Sequence, residues 1–122
     1  MNQLITAAAA DYTGVSVNTS LVFTADATNG GYVSRLRFKA GGTNAATVIR
    51  IYLNNGAANT VATNNVFYGE IILPATTAST TTATVDIDYP LNIALPPGFR
   101  IYVGLGAAVA AGWVVTPIAG KY

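Results

Sequence analysis

The stretch Tyr32-Val33-Ser34-Arg35-Leu36-Arg37-Phe38-Lys39 decides how this chain is read. Apolar and polar residues alternate along it one by one. A side-chain period of two belongs to a β-strand lying on a core, whereas an amphipathic helix repeats every three to four positions. Alternation puts Tyr32, Ser34, Leu36 and Phe38 on one side of the strand and Val33, Arg35, Arg37 and Lys39 on the other. The second side is then a basic row.

The same period recurs on both sides of this stretch, and no window holds helical spacing for more than about a turn. Strands are expected at residues 3–7, 20–25, 32–40, 47–54, 65–73, 82–89, 99–105 and 113–118. The pieces between them carry turn chemistry: Asn29-Gly30-Gly31, Gly41-Gly42-Thr43-Asn44, Asn54-Asn55-Gly56 and Leu95-Pro96-Pro97-Gly98. Eight short strands in 122 residues fit one all-β domain, residues 1–122, built as an antiparallel sandwich. A jelly roll is favoured over an immunoglobulin-like sandwich, because neither a Cys pair nor a mid-chain Trp is present. The segment 101–120 is uncharged, but Gly104, Gly106, Gly112 and Pro117 divide it into two strands and a turn, so it is not expected to span a membrane. Residues 1–10 lack the basic and apolar regions of a secretory signal and read as mature protein.

In the following strand Ile49, Ile51 and Leu53 point one way and Val48, Arg50 and Tyr52 the other. If Gly41-Gly42 closes a hairpin, Arg50 joins Arg35, Arg37 and Lys39, gathering four of the six cations on one face. Asp86 and Asp88, in step with Thr84, place two of the five acids on one side of a later strand. These six charged residues form the candidate contact surface, with the aspartates of the same subunit, of a neighbouring subunit or of another protein as the acids that answer the row.

Composition excludes much chemistry. No histidine or cysteine is present, so Ser-His-Asp and Cys-His centres, thiolate metal sites and disulfides are unavailable. A glycosidase needs only two carboxylates, for which Asp11, Asp26, Glu70, Asp86 and Asp88 are the candidates. Nothing near them suggests a pocket that would raise one pKa, so no catalytic site is expected. There is no EF-hand loop for calcium, and Gly104-x-Gly106 lacks the third glycine and following helix of a phosphate cradle, so no cofactor or metal is expected. Asn18-Thr19-Ser20 matches a glycosylation sequon without a secretion signal beside it. A net charge of +1 gives no attraction for nucleic acid or an anionic membrane. Only 9% of residues are charged while 52% are hydrophobic, so little keeps copies apart and a homo-oligomer is expected.

The Leu95-Pro96-Pro97-Gly98 turn entering Phe99-Arg100-Ile101-Tyr102-Val103, the strand end Tyr68-Gly69-Glu70-Ile71-Ile72-Leu73-Pro74, and the Ala/Thr/Asn-rich background resemble small β-sandwich virion proteins of tailed bacteriophages. The resemblance covers the whole chain in style and carries over no functional residue. It implies localisation in the virion and a capsid decoration subunit, commonly a trimer, that binds the major capsid protein, or else a head-fibre or tail-associated subunit. A carbohydrate- or receptor-binding module is the alternative. It would use the aromatics Tyr12, Tyr32, Tyr52, Tyr68, Tyr89, Tyr102, Tyr122 and Trp113, which are otherwise expected in the core or at an interface.

Overall fold

A computed structural model describes residues 3–9 and 11–122. Met1, Asn2 and Ala10, part of the stretch read as mature N-terminus, lie outside the described residues. The chain forms β1 (Gln3–Ile5), β2 (Ser20–Thr24), β3 (Gly31–Ala40), β4 (Thr47–Asn54), β5 (Asn65–Leu73), β6 (Asp86–Leu95), β7 (Arg100–Leu105) and β8 (Trp113–Lys121), with a 3-10 turn at Ala62–Asn64 before β5. They make two four-stranded antiparallel sheets, ordered β1-β8-β3-β6 and β2-β7-β4-β5. The expected all-β, eight-stranded sandwich is the fold.

Pairing is nested: β1 lies beside β8, β2 beside β7, β3 beside β6 and β4 beside β5. The chain therefore behaves as one long hairpin, and every connection except β4 to β5 crosses from one sheet to the other. The tip of that hairpin is clasped by two asparagine pairs, Asn54 Nδ2 donating to Asn65 Oδ1 (2.8 Å) and Asn55 Nδ2 to Asn64 Oδ1 (3.2 Å). Between the sheets the inward residues, among them Leu36, Phe38, Ile49, Ile101 and Trp113, form one buried cluster.

Three details of the sequence reading are corrected. First, β6 does not run over residues 82–89 but over Asp86–Leu95, straight through Pro90. The strand tolerates proline because it is an edge, where a missing N–H need not break a ladder. Second, β3 does not keep a single alternation. Two of its residues oppose one of β8 between Val33 and Arg35, and on its other side β6 gains a residue near Asn92, which sits in the left-handed region at φ 50°. This bulge flips the pleat, so Val33 is buried with Leu36 and Phe38 while Tyr32 faces out. Third, Gly41-Gly42 does not close a hairpin, because β3 and β4 belong to different sheets.

Candidate contact surface

The outward face of the β1-β8-β3-β6 sheet carries the basic row. Register sets Arg37 opposite Asp88 and Lys39 opposite Asp86, while Arg35 stands opposite Pro90. Directly opposed residues of an antiparallel pair share a face and lie close enough for their side chains to meet. Arg37 holds Asp88 in a fork, Nε donating to Oδ1 at 2.9 Å and Nη2 to Oδ2 at 3.0 Å. Arg35 Nε approaches the same Oδ1 at 3.7 Å. Lys39 Nζ lies 2.8 Å from Asp86 Oδ1 and donates to the carbonyl of Thr84 at 2.6 Å. Thr84, which the sequence pattern put in this strand, instead precedes it.

Electrostatics follow this geometry. The Arg37 hydrogen bond holds the Asp88 carboxyl below its ordinary value, against a smaller desolvation effect, with the charges of Arg37 and Arg35 assisting. Asp88 in return raises the Arg37 guanidinium, first through the hydrogen bond and then through its charge. The ladder is solvated, its side chains being 38 to 51% exposed, so each pair contributes little to folding. Of the three sources of acid open to the row, the structure brings in Asp86 and Asp88 of the same subunit.

Arg50 is not part of this surface. It faces outward from the other sheet, beside Glu70 on β5, because the hairpin partner of β4 is β5. Arg50 Nε donates to Glu70 Oε2 at 3.2 Å, Nη2 to the Tyr12 hydroxyl at 3.3 Å, and the guanidinium stacks on the Tyr12 ring 4.3 Å from its centroid. Desolvation would lower its pKa, but the Glu70 hydrogen bond and the Tyr12 and Glu70 charges outweigh that and raise it. The side chain is only 12% exposed, with Tyr12 of the 11–19 segment lying over it. The same segment buries Tyr52, which points outward and yet is 0% exposed. Its hydroxyl donates to the Asp11 carbonyl at 2.6 Å, and Gly14, at a φ of 77° that favours glycine, packs closely on the ring. Sequence reasoning missed the Arg50–Glu70 pair, although the signal was present in the Asn54-Asn55-Gly56 turn between their strands.

The aromatics divide. Tyr52, Tyr102 and Trp113 are buried, Tyr89 is partly so, and Tyr12, Tyr32, Tyr68 and Tyr122 are exposed. A shallow groove of about 460 Å³ lies between β2 and the far end of β8, lined by Leu21, Phe23, Pro117 and Ala119, with Lys121 the ionisable residue on its rim. Among the described residues, no cluster of three or more acids could hold a metal ion.

All five carboxylates engage groups of their own chain. Asp11 Oδ1 accepts from the Thr13 amide and hydroxyl and the Gly14 amide, and Asp26 Oδ1 accepts from the amides of Thr28 and Asn29. Glu70, Asp86 and Asp88 are held by Arg50, Lys39 and Arg37. Compared with known proteins, the chain matches no family model, no curated protein and no solved structure.

Proposed function

We propose that this chain is a structural subunit of a virus particle, a jelly-roll sandwich that decorates the outside of a phage shell and stabilises it. The nested pairing of β1 with β8 through β4 with β5 supports the jelly-roll reading, since that form rolls one long antiparallel hairpin into two sheets. The observation that carries the function is the internal use of every carboxylate, which leaves a surface of Thr, Asn, Ala and apolar groups with little charge to recognise a small polar substrate or a polyanion. Such a surface suits extended, water-tolerant contact with protein. A subunit that binds only the assembled lattice, as a homo-oligomer contacting the major capsid protein, lowers the free energy of the assembled state by mass action.

The deciding measurement is the copy number of the chain in purified particles, followed by the heat or chelator resistance of particles that lack it. Stoichiometric presence and earlier disruption of the depleted particles are expected. A chain absent from particles overturns the proposal.

A further inference from the structure

In the β1-β8-β3-β6 sheet, β8 has nine residues and β3 and β6 have ten each, but β1 has three. Its pairing reaches along β8 only as far as Val115, opposite Gln3, and among the described residues nothing pairs with β8 on that side from Thr116 onward. Pro117 has no N–H to offer, so the usable part of this open edge is Ile118–Lys121, whose residues are all exposed and span about 13 Å. The Tyr122 amide donates to the Gly30 carbonyl at 3.3 Å, which turns Tyr122 and, two positions back, Gly120 toward β3. An antiparallel strand bonds to its two neighbours through alternate residues, so Ala119 and Lys121 direct their N–H and C=O groups to the open side.

The same stretch borders the groove of about 460 Å³. Pro117 stands opposite Leu36 and Ala119 opposite Val33, both fully buried, so Pro117, Ala119 and, two positions on, Lys121 face the space between the sheets. Earlier on that face Trp113 and Val115 are fully buried and belong to the core, whereas Pro117 and Ala119 leave the groove beside Leu21 and Phe23 unfilled. The space between the sheets is therefore open where β1 gives out, and Gly120 has free space around it. Lys121 closes the far end. Among the described residues it forms no ion pair, and Asp26, whose carboxyl is lowered chiefly by the Asn29 and Thr28 amides, feels Lys121 least.

We propose that this corner of the sandwich binds an extended segment of another protein, which adds to β8 in line with β1 and carries an acid and an apolar residue two positions apart. A strand added to an open edge takes affinity from main-chain hydrogen bonds and specificity from the pockets that receive its alternate side chains. Antiparallel pairing sets the order. Read from its N-terminal end, the segment places the acid opposite Lys121, an outward residue opposite Gly120, the apolar residue opposite Ala119 and a second outward residue opposite Ile118. Opposed residues share a face, so the acid meets the Lys121 ammonium and the apolar side chain enters the groove beside Leu21 and Phe23. A second copy of this chain does not supply the segment, because all five of its carboxylates are held by its own groups. The inference does not depend on a place in a virus particle and is tested on the isolated protein.

The probe is a short capped peptide of threonine bearing one glutamate and, two positions toward its C-terminus, one valine. Joined behind Tyr122 through a flexible glycine-serine linker, it is present at an effective concentration in the millimolar range. It is expected to slow amide exchange at Ala119 and Lys121 at least about tenfold. A joined peptide with the glutamate and valine each moved to the neighbouring position, where both face outward, is expected to give at least about threefold less protection. Lys121→Glu is expected to weaken the glutamate peptide about threefold and to favour a peptide with lysine in its place. Absence of protection by the joined peptide, equal protection by the two peptides, or indifference to Lys121→Glu overturns the proposal. Decanoate, an anionic chain without a backbone, is the comparison: shifts of the Leu21 and Phe23 resonances with decanoate, while the joined peptide leaves Ala119 and Lys121 unprotected, assign the groove to a small amphiphile instead.

Discussion

The hydroxyl end of Tyr89, on β6, lies against the bare Cα of Gly69, on β5, across the side of the sandwich where two edge strands face one another. A Cβ at position 69 would occupy the place of the hydroxyl, so a larger residue there requires the Tyr89 side chain to move. Gly69→Ala is predicted to destabilise the fold by about 1 to 3 kcal/mol, the usual cost of overpacking. Tyr89→Phe in the same chain should recover part of that loss, because residues in contact couple. Urea unfolding of the two single variants and the double variant checks this. Strict additivity would show that the contact carries no energy.

The loop over the β2-β7-β4-β5 sheet is predicted to depend on Tyr52. Removing its hydroxyl leaves the Asp11 carbonyl without its donor, and Tyr52→Phe should cost about 1 to 2 kcal/mol while speeding amide exchange in residues 11–19. The pH dependence has a definite sign. Desolvation, aided by the Asp11 charge, pushes the Tyr52 phenol from 10.0 up to about 12. A raised folded value gives stability that is fully present below pH 10.0 and is lost as the pH climbs toward about 12. Denaturant midpoints across that window should fall less steeply in Tyr52→Phe than in the parent chain.

Asp88 is predicted to titrate below an ordinary aspartate, chiefly through its hydrogen bond from Arg37. Because the folded value is depressed, its contribution is present above pH 3.8 and fades as the pH falls below that. Arg37→Gln should return the Asp88 carboxyl toward 3.8, readable as its carbon chemical shift against pH. The melting temperature should barely move, since exposed pairs contribute little. An Asp88 titration unchanged by the substitution would remove Arg37 as the cause.

Asn44 is predicted to be the most sensitive polar residue of the loops. It is 4% exposed, accepts from the amides of Ala111 and Gly112 at 2.9 and 2.8 Å, and donates to the Gly112 carbonyl at 2.9 Å. It thus pins the β3–β4 connection to the β7–β8 turn. Asn44→Ala leaves the Ala111 and Gly112 amides without their acceptor, while the Gly112 carbonyl keeps the Gly41 amide at 2.8 Å, and a loss of about 1 to 3 kcal/mol is expected from calorimetry.

The alternation around Leu36 and Phe38, the turn residues and the absence of helical spacing were enough to give eight strands and a sandwich, because a period of two is a local property of the backbone. Strands β4 and β5 were legible to the residue. β6 was not, since Pro90 reads as a terminator unless the strand is known to be an edge. The candidate surface was half legible. Arg35, Arg37, Lys39, Asp86 and Asp88 do share a face, but Arg50 does not, because choosing between Gly41-Gly42 and Asn54-Asn55-Gly56 as the hairpin turn is a question of which sheet takes each strand.

The sequence by itself determined the class of structure, the low charge of the chain and the absence of any His- or Cys-based chemistry, all of which depend on residue type and on neighbours one or two positions away. Tertiary structure alone decided the register that places Arg37 on Asp88, the bulge that turns Val33 inward, the loop that hides Tyr52 on an outward face, and the groove left open where β1 stops short along β8. Each of these follows from pairing between segments far apart in the chain, where one residue of slip moves every side chain to the opposite face.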